Sequence, residues 1–406
     1  MKTFVTGYGL LSSIGNSNTE MFASLLENRS AIRYMPEWEH CKNLFAMLGA
    51  PVMPYDKMII PRSARRTMST MSEMATLATL QALKMANLKS EELDPEKTLL
   101  SMGSTTGSPA TMEDYFQKIG ETNGVSTQPG TSFFKVMNHS VASNVAGAIN
   151  FNGAVNAPSS ACATSAHATI MGWEMIQSGL YDIVICGGAE ELHYLSSAVF
   201  DNVYAASRKY NQQPDLSPRP FDKNRDGLVV SEGASVIILE SEASCLRRGA
   251  KKIAEFMGGS YLCESSHMSQ SNSQQMVKTM SIALKRSDLK ASDVGYVNAH
   301  ATGTLQGDGQ ESSAVANLFS DRVPVSSLKG HFGHSMAACG VAEIIASIEM
   351  MKSGTLIGTR NLEEVSEECK GAYHFSKNLK QKVNVVLSNN FAFGGINTSL
   401  VIRDII

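Results

Sequence analysis

The segment around Cys162 contains the residue best suited to covalent chemistry. Cys162 lies in Asn156-Ala-Pro-Ser-Ser-Ala-Cys-Ala-Thr-Ser-Ala-His167, where a strand and a turn give way to a run of small residues that predicts a helix. A thiol at a helix N-terminus lies near unpaired backbone N–H groups and the positive end of the helix dipole. Both favour the thiolate, which is the nucleophilic form. For a cysteine considered alone, a buried structural role is the more common alternative.

Two histidine segments far downstream favour a reactive site. His300 follows the apolar, strand-like run Val294–Val297, and His334 ends the segment Lys329-Gly-His-Phe-Gly-His334, which follows a second short strand. Site residues of α/β folds gather at strand ends, so two histidines in such places form a candidate constellation with the lysine. One fold must bring these distant groups to the thiol.

Four segments that include these residues resemble the β-ketoacyl-acyl-carrier-protein synthases, elongating condensing enzymes of the thiolase superfamily. The resemblance runs in the family's order from about Thr3 to the C-terminus, and Arg219–Gly227 and His267-Met268 also fit. The matching segments are Ser160-Ala-Cys-Ala-Thr-Ser165, Asn298-Ala-His-Ala-Thr-Gly-Thr304, Lys329-Gly-His-Phe-Gly-His334 and Asn390-Phe-Ala-Phe-Gly-Gly-Ile-Asn397.

The resemblance implies a two-stage reaction in fatty acid or polyketide synthesis. An acyl group moves from a carrier-protein thioester to Cys162, and the backbone N–H groups of Cys162 and Phe393 form the oxyanion hole. A malonyl thioester then loses CO2, and its carbanion attacks the acyl-enzyme to give a β-ketoacyl thioester. His300 and His334, as neutral imidazoles that donate from Nε2, are expected to stabilise the charge on the malonyl thioester oxygen.

The resemblance also implies supporting roles for two charged residues. Lys329 is a cation near His334 and is expected to favour the neutral imidazole. Glu311 matches a carboxylate that pairs with this lysine in the family. An ordinary ion pair with a structural role is the alternative for both residues.

Substrate-binding residues follow from the same resemblance. Thr302 and Thr304 match hydroxyls that bond the phosphopantetheine arm of the substrate, with turn formation as the alternative. Phe393 matches a gate over the thiol, and Phe391 packs below it. Thr106 would add a hydroxyl to the segment that shapes the acyl pocket.

The resemblance implies no separate cofactor, because the substrates travel on the phosphopantetheine of acyl carrier protein. The Cys and His spacings in the sequence do not suggest a zinc site. Asn298 and Glu343 match positions near a monovalent cation in some relatives, although Glu343 could instead hydrogen-bond the backbone.

Acyl carrier protein is the partner that the resemblance implies, and it is acidic. Arg62, Arg65 and Arg66, which precede a predicted helix, are the candidate docking residues, with a solvated charged face as the alternative. Relatives are usually homodimers, and a heterodimer with a subunit like a chain-length factor is a second arrangement. The net charge of −3 and the absence of a long apolar segment argue against nucleic acid and membrane partners.

Two other functions remain open on the sequence. A noncatalytic chain-length partner typically lacks the nucleophile, whereas Cys162 is present here. Thiolases that act on CoA esters use a second Cys, and CoA-dependent starter enzymes have Asn where this chain has His334. Ala301, Ala392 and Thr106 depart from housekeeping fatty acid synthases, which makes a specialised polyketide or polyene pathway an alternative.

The elements around these residues predict an α/β protein. Strands at Thr98–Met102 and Asp182–Cys186 alternate with helices, and the pattern returns in the second half with helix Ser273–Ser287 and further strands. The resemblance sharpens this to a thiolase-like fold with two duplicated α/β halves in α-β-α-β-α layers. We expect residues 1–245 to carry the nucleophile and residues 246–406 to carry both histidines.

The cysteines and the N-terminal segment indicate in which cellular compartment the protein is located. Seven cysteines among 406 residues do not form a disulfide framework, which favours reduced thiols. The segment Met1–Gly9 is typical of a first strand and turn and not of a signal peptide. We therefore expect a cytoplasmic protein.

Overall fold

The computed structural model describes residues 1–126, 128–265 and 270–405, so His267-Met268 lies outside the described residues. The strands are β1 Thr3–Leu11, β2 Arg33–Tyr34, β3 Leu48–Ala50, β4 Thr98–Gly103, β5 Ala154–Asn156, β6 Ile183–Glu190, β7 Val230–Ser231, β8 Gly233–Ser241, β9 Ala254–Cys263, β10 Tyr296–Asn298, β11 Pro324–Ser326, β12 Thr355–Leu356, β13 Tyr373–His374, β14 Leu379–Lys380, β15 Val385–Phe391 and β16 Ile396–Arg403. The helices are α1 Asn18–Leu26, α2 Arg62–Arg65, α3 Thr70–Ala86, α4 Pro109–Thr122, α5 Ser132–Val136, α6 Ser140–Ala148, α7 Thr164–Gln177, α8 Tyr194–Asn202, α9 Glu242–Arg248, α10 Ser273–Arg286, α11 Leu305–Phe319, α12 Lys329–Phe332 and α13 Cys339–Ser353.

The main sheet contains the same arrangement of five strands twice. The first half has the order β1-β8-β6-β4-β5, and the second half has the order β9-β16-β15-β10-β11. In each set the first two pairings are antiparallel and the last two are parallel. This match in order and direction confirms the expected duplication. The boundary predicted near residue 245 falls within α9 and stays a prediction.

Helices cover both halves and also lie between them. Helix α7 packs on β4, β6 and β8 of the first half and on β9 and β16 of the second, and it contacts α13. On the outer faces, α3 packs on β1 and β8, whereas α10 packs on β9 and β16. The layers therefore run helix, sheet, helix, sheet, helix, as expected from the sequence.

The two central helices approach each other closely because small residues line their contact. A Cβ atom added at Gly340 of α13 would lie 2.9 Å from the Cβ of Ala166 on α7 and 2.8 Å from Asn390 Oδ1. Any larger residue at this position would force the helices apart. The close approach places the N-terminal ends of both helices side by side, where the reactive residues lie.

All seven cysteines are free thiols. Among the residues described, the helices lack the combination of length and hydropathy needed to span a bilayer.

Candidate active site

Cys162 lies in a tight turn that leads into α7. The 3-10 turn Ala161–Ala163 precedes the helix, and Ala161 has a φ angle of +46°, in the left-handed region. The Thr164 hydroxyl holds this turn, because it donates to the Ala161 carbonyl and accepts the Ser160 N–H, both at 2.8 Å. Strained backbone of this kind persists where the surrounding structure holds it, and it presents the thiol at a fixed position.

The expected convergence of one thiol and two imidazoles is present. Cys162 Sγ and one ring nitrogen each from His300 and His334 all lie within 4.8 Å of one another, and all three residues are buried. His300 follows β10 and His334 follows α12, so the second half supplies both imidazoles. Their ring centroids are 5.2 Å apart in an edge-to-face arrangement.

These residues lie in a cavity of about 310 Å³. Its walls include Cys162, His300 and His334, and the expected substrate-binding residues Thr302 and Thr304 also line it. The Thr302 hydroxyl donates to Thr304 Oγ1 at 3.3 Å. The volume falls within the range of small-molecule sites.

Both expected aromatic residues also line the cavity. Phe391 is buried with its ring centroid 6.4 Å from that of His300. Phe393 is half-buried, and its ring packs against Phe200 at 5.4 Å between centroids. Gly394 and Gly395 follow with φ angles of +86° and +78°, a backbone that glycine adopts without strain.

The expected contribution of Thr106 to an acyl pocket near the dimer interface stays a prediction. Within this chain Thr106 is exposed and lies outside the cavity lining. The reason is the fold of its turn. Glu190 accepts hydrogen bonds from the Ser104 hydroxyl and the Thr105 N–H, and the Gly107 N–H donates to Ser104 Oγ. These bonds pull the residues on either side of Thr106 inward and leave its side chain facing outward.

Both imidazoles are neutral, as expected. Burial and then the nearby ammonium of Lys329 hold the pKa of His300 and of His334 well below the ordinary value. The Met336 N–H donates to His334 Nδ1 at 3.3 Å, so the ring proton of His334 lies on Nε2. This Nε2 has no hydrogen-bond partner within the part of the chain that the structure describes, which leaves it free for a substrate.

The expected ion pair between Lys329 and Glu311 is wrong. Lys329 Nζ lies 2.5 Å from Glu343 Oε1 instead, and both side chains are fully buried. Burial opposes the charge on Lys329, but the neighbouring groups, with Glu343 foremost, together raise the pKa of the ammonium. Glu343 projects from α13 toward the lysine, whereas Glu311 projects from α11 toward the backbone of His300.

Glu311 has a different structural task from the one expected. Its carboxylate accepts the N–H groups of His300 at 2.9 Å and Ala301 at 2.7 Å, and the Asn389 amide donates to it at 3.2 Å. Burial raises the pKa of Glu311 to about 7. Glu311 thus fixes the peptide that carries one imidazole.

The backbone N–H group of Cys162 at the helix start lowers the pKa of the thiol, as expected, but burial has a larger and opposite effect. Burial raises the pKa of the thiol to about 12, although Lys329 and the backbone N–H groups of Phe393 and Cys162 partly offset this effect. Cys162 therefore rests as a thiol. The same two N–H groups point at its sulfur, as required of the expected oxyanion hole.

Sequence reasoning missed two residues that hold the threonine loop. Asp308 accepts the N–H of Thr302 at 3.0 Å and also bonds the N–H of Gly303. Arg225 donates to the carbonyl oxygens of Thr304 and Leu305 at 3.2 and 2.8 Å. The segment Arg219–Gly227, which matches the family, contains Arg225, and this match could have indicated a role for that buried arginine.

The side-chain amides of Asn298 and Asn390, beside Glu343, provide some of the oxygen ligands that the expected monovalent cation would need. Asn298 and Asn390 both bond the Glu343 carboxylate with their side chains. Their Oδ1 atoms are buried without a hydrogen-bond partner among the described residues. Buried carbonyl oxygens in this state are suited to an ion or a water molecule. Among the described residues, the Glu343 carboxylate bonds the side chains of Lys329, Asn298 and Asn390.

The three candidate docking arginines lie on and beside α2, ahead of α3. Arg62 and Arg66 are exposed, whereas Arg65 is half-buried. Arg65 Nε donates to the Ile60 carbonyl at 3.0 Å. Two of the three guanidinium groups are therefore accessible to a partner.

Comparisons with known proteins agree with this geometry. Residues 2–244 match the family model described as beta-ketoacyl synthase, N-terminal domain, and residues 254–363 match the corresponding C-terminal domain. The 3-oxoacyl-[acyl-carrier-protein] synthase 1 of Haemophilus influenzae is 32% identical over 99% of this chain and 98% of its own. The protein of the same name from Escherichia coli is 33% identical, with the same coverage of both chains.

Solved structures give the same result. A beta-ketoacyl synthase from Burkholderia phymatum is 36% identical over the whole of both chains, with a TM-score of 0.96. A type II polyketide ketosynthase solved with its acyl-carrier protein has a TM-score of 0.91 at 24% identity, over 100% of this chain and 99% of its own, and shares the fold. The chain therefore belongs to the beta-ketoacyl synthase family.

Proposed function

We propose that the chain catalyses the decarboxylative Claisen condensation of an acyl thioester with malonyl-acyl carrier protein, which elongates an acyl chain by two carbons. The observation that carries this proposal is the meeting of Cys162 with two neutral imidazoles in one cavity. The names of the relatives from Haemophilus influenzae and Escherichia coli support acyl carrier protein as the substrate carrier.

In the first stage Cys162 takes the acyl group. The thiol gives its proton to a neighbouring imidazole as sulfur attacks the thioester carbon, and the carrier's thiol then leaves with a proton. The N–H groups of Cys162 and Phe393 stabilise the oxyanion between these events. A neutral imidazole can accept the proton, which an imidazolium could not.

In the second stage the malonyl thioester loses CO2, and negative charge develops on its carbonyl oxygen. His334 donates from Nε2 to this oxygen, and His300 is the second donor. The carbanion attacks the acyl group on Cys162, the carbon–sulfur bond breaks, and the sulfur takes up a proton from solvent. These side chains, the backbone donors and a solvent proton account for the steps, so we propose that no separate cofactor takes part.

Supporting residues fit this sequence of events. Lys329 keeps the imidazoles neutral, Thr302 and Thr304 bond the phosphopantetheine arm, and Phe393 closes over the sulfur. A monovalent cation beside Asn298 would supply a positive charge to the orphaned amide oxygens.

The carrier protein docks on the exposed guanidinium groups beside α2. Arg62 and Arg66 are accessible and Arg65 is partly so, which suits an acidic partner. The seven free thiols favour a reducing compartment, which supports a cytoplasmic location.

A second copy of this chain is the expected subunit partner. Strand β5 is an outer strand of the main sheet, and its Val155 is exposed. Phe116 of α4 and Phe133 and Phe134 of α5 are each at least half exposed, and contacts link α4, α5, α6 and β5 in series. An open strand edge beside exposed aromatic residues favours pairing with another chain. A single species of about twice the chain mass in light scattering supports a homodimer, and a monomer that assembles with a chain-length-factor-like subunit supports the heterodimer.

The central proposal is tested by incubating the purified protein with an acyl-carrier thioester and malonyl-carrier protein. Mass spectrometry should find the acyl group on Cys162 and then a β-ketoacyl carrier two carbons longer. An inert thiol would favour the noncatalytic partner. Equal turnover with malonyl-CoA as the donor would favour a CoA-dependent enzyme. A panel of acyl chains decides between a primary and a specialised pathway.

A further inference from the structure

The buried thiol of Cys339 connects the first residue of α13 to the nucleophile. Cys339 Sγ lies 3.3 Å from the carbonyl oxygen of Cys162, and both residues are buried. Burial and then the Glu343 carboxylate hold the pKa of Cys339 well above its ordinary value. The thiol therefore keeps its proton and is the donor in this contact.

The other contacts of Cys339 lead to the Lys329 ion pair. Asn390 Nδ2 lies 3.6 Å from Cys339 Sγ and 2.8 Å from Glu343 Oε2. Glu343 lies one helical turn beyond Cys339 on α13 and pairs with Lys329 through its other oxygen. A continuous buried chain of polar contacts thus runs from the Lys329 ammonium, which favours the neutral form of the imidazoles, to the backbone carbonyl of Cys162.

These contacts join the two halves of the molecule at the site. Cys339 follows His334 by five residues, so both belong to the same segment of the second half. The Val341 N–H adds a second link across the halves, because it donates to Ser165 Oγ on α7 at 3.2 Å. The direction of the Cys162 carbonyl fixes the backbone angle beside its Cα. The bond from Cys339 therefore restrains where the reactive sulfur lies relative to His334.

We propose that Cys339 is a positioning residue that holds the sulfur of Cys162 in register with His334 during acyl transfer. The kinetic part of this inference rests on the proposed function. Cys339 itself takes no acyl group, since its sulfur is directed at the backbone and stays protonated. A small displacement of a nucleophile strongly lowers the rate of its reaction. Loss of even a weak hydrogen bond that positions the nucleophile should therefore lower the rate of acyl transfer measurably.

The test compares Cys339→Ala, which removes the donor, with Cys339→Ser, which retains one. Cys186→Ala is the matched control, because Cys186 is equally buried and lies outside the cavity lining. Iodoacetamide alkylation of Cys162 is followed by peptide mass spectrometry, and acyl transfer is followed in a single turnover. Cys339→Ala should lower both rates about five-fold, as expected for one neutral hydrogen bond. Cys339→Ser should recover most of the loss, and CO2 release from malonyl carrier should stay at the wild-type rate.

Two results would overturn the inference. One is wild-type alkylation and acylation in Cys339→Ala, and the other is an equal loss in the Ala and Ser variants. If Cys339→Ala does not fold, Cys339→Val, which fills the site without a donor, takes its place under the same criteria. Alkylation needs no carrier, so it tests the positioning role even if the wild-type protein fails to condense carrier substrates. That failure would overturn the proposed function instead.

Discussion

At the scale of single residues, burial and one buried ion pair together set the protonation of the site. Burial and then Lys329 lower the pKa of both histidines, while Glu343 balances the charge of Lys329 at 2.5 Å. A buried lysine without a carboxylate partner would be costly, so Glu343 makes the ammonium tolerable in the core. A neutral imidazole can accept a proton from Cys162, and His334 can donate from Nε2 to a substrate oxygen.

Substitution of the three reactive residues should separate the two stages of the reaction. Cys162→Ala should lower condensation by more than about 10⁴-fold because no acyl-enzyme can form. It should still release CO2 from malonyl carrier, since the histidines remain. His300→Ala and His334→Ala should each lower this CO2 release by about 10²–10³-fold, as for loss of an oxyanion donor. Wild-type CO2 release by both histidine variants would contradict the roles assigned to them.

The ion pair should also set the acid limit of activity. In the wild-type protein the histidine pKa values lie below the ordinary range, so CO2 release should not change as pH falls through about 6.5. Removing both charges in Lys329→Met/Glu343→Gln raises these pKa values toward that range. Protonated His334 cannot accept the Met336 N–H, so the loss of activity should move to higher pH.

A matched control for this pH profile comes from an exposed pair. Lys370→Met/Glu367→Gln removes the same charges at the surface and should leave the profile unchanged. The measurement is the rate of CO2 release between pH 5 and 8. An unshifted acid limb in the buried double variant would show that Lys329 does not tune the imidazoles.

At the scale of elements, the sequence predicts those with strong periodic patterns and misses those set by tertiary contacts. The helix predicted at Ser273–Ser287 is confirmed as Ser273–Arg286. Helix α11 was missed because Gly307, Asp308 and Gly309 lie in its first turns and are poor helix formers. Strand β9 was missed because a Gly-Gly-Ser run interrupts its apolar pattern.

The same reasoning explains which parts of the site the sequence could predict. Motif residues at strand ends converged as expected, because the topology determines where those ends lie. The partner of Lys329 could not be predicted, since the direction of Glu343 depends on how α13 packs between the sheets. The effect of burial on the pKa of Cys162 could not be predicted either, because the depth of burial is a property of the assembled core.

The close contact of α7 with α13 should be sensitive to one added methyl group. Gly340→Ala places a Cβ within 3 Å of Ala166 and Asn390, which should lower the free energy of unfolding by about 1–3 kcal/mol. Gly147→Ala is the matched control on α6, where an added Cβ meets nothing within 4 Å. That variant should be unchanged or more stable by up to about 1 kcal/mol. Denaturant unfolding measures both, and equal stability of the two variants would contradict the packing argument.

At the scale of the whole molecule, the proposed docking surface for the carrier protein is separate from the catalytic groups. Arg62→Glu/Arg66→Glu reverses two exposed charges and should raise the KM for the acyl carrier about ten-fold at low salt. The effect should shrink as salt increases. Lys89→Glu/Lys251→Glu, two exposed lysines beside the start of β4, is the control. Turnover of a small thioester should be unaffected in both, and an unchanged carrier KM would remove the docking proposal.

The repeated strand order of the two halves separates two tasks within one chain. Both halves have the same order and direction of strands, yet they carry different reactive groups. The first half supplies the sulfur of Cys162, and the second supplies the imidazoles of His300 and His334. Neither half therefore has to serve both purposes.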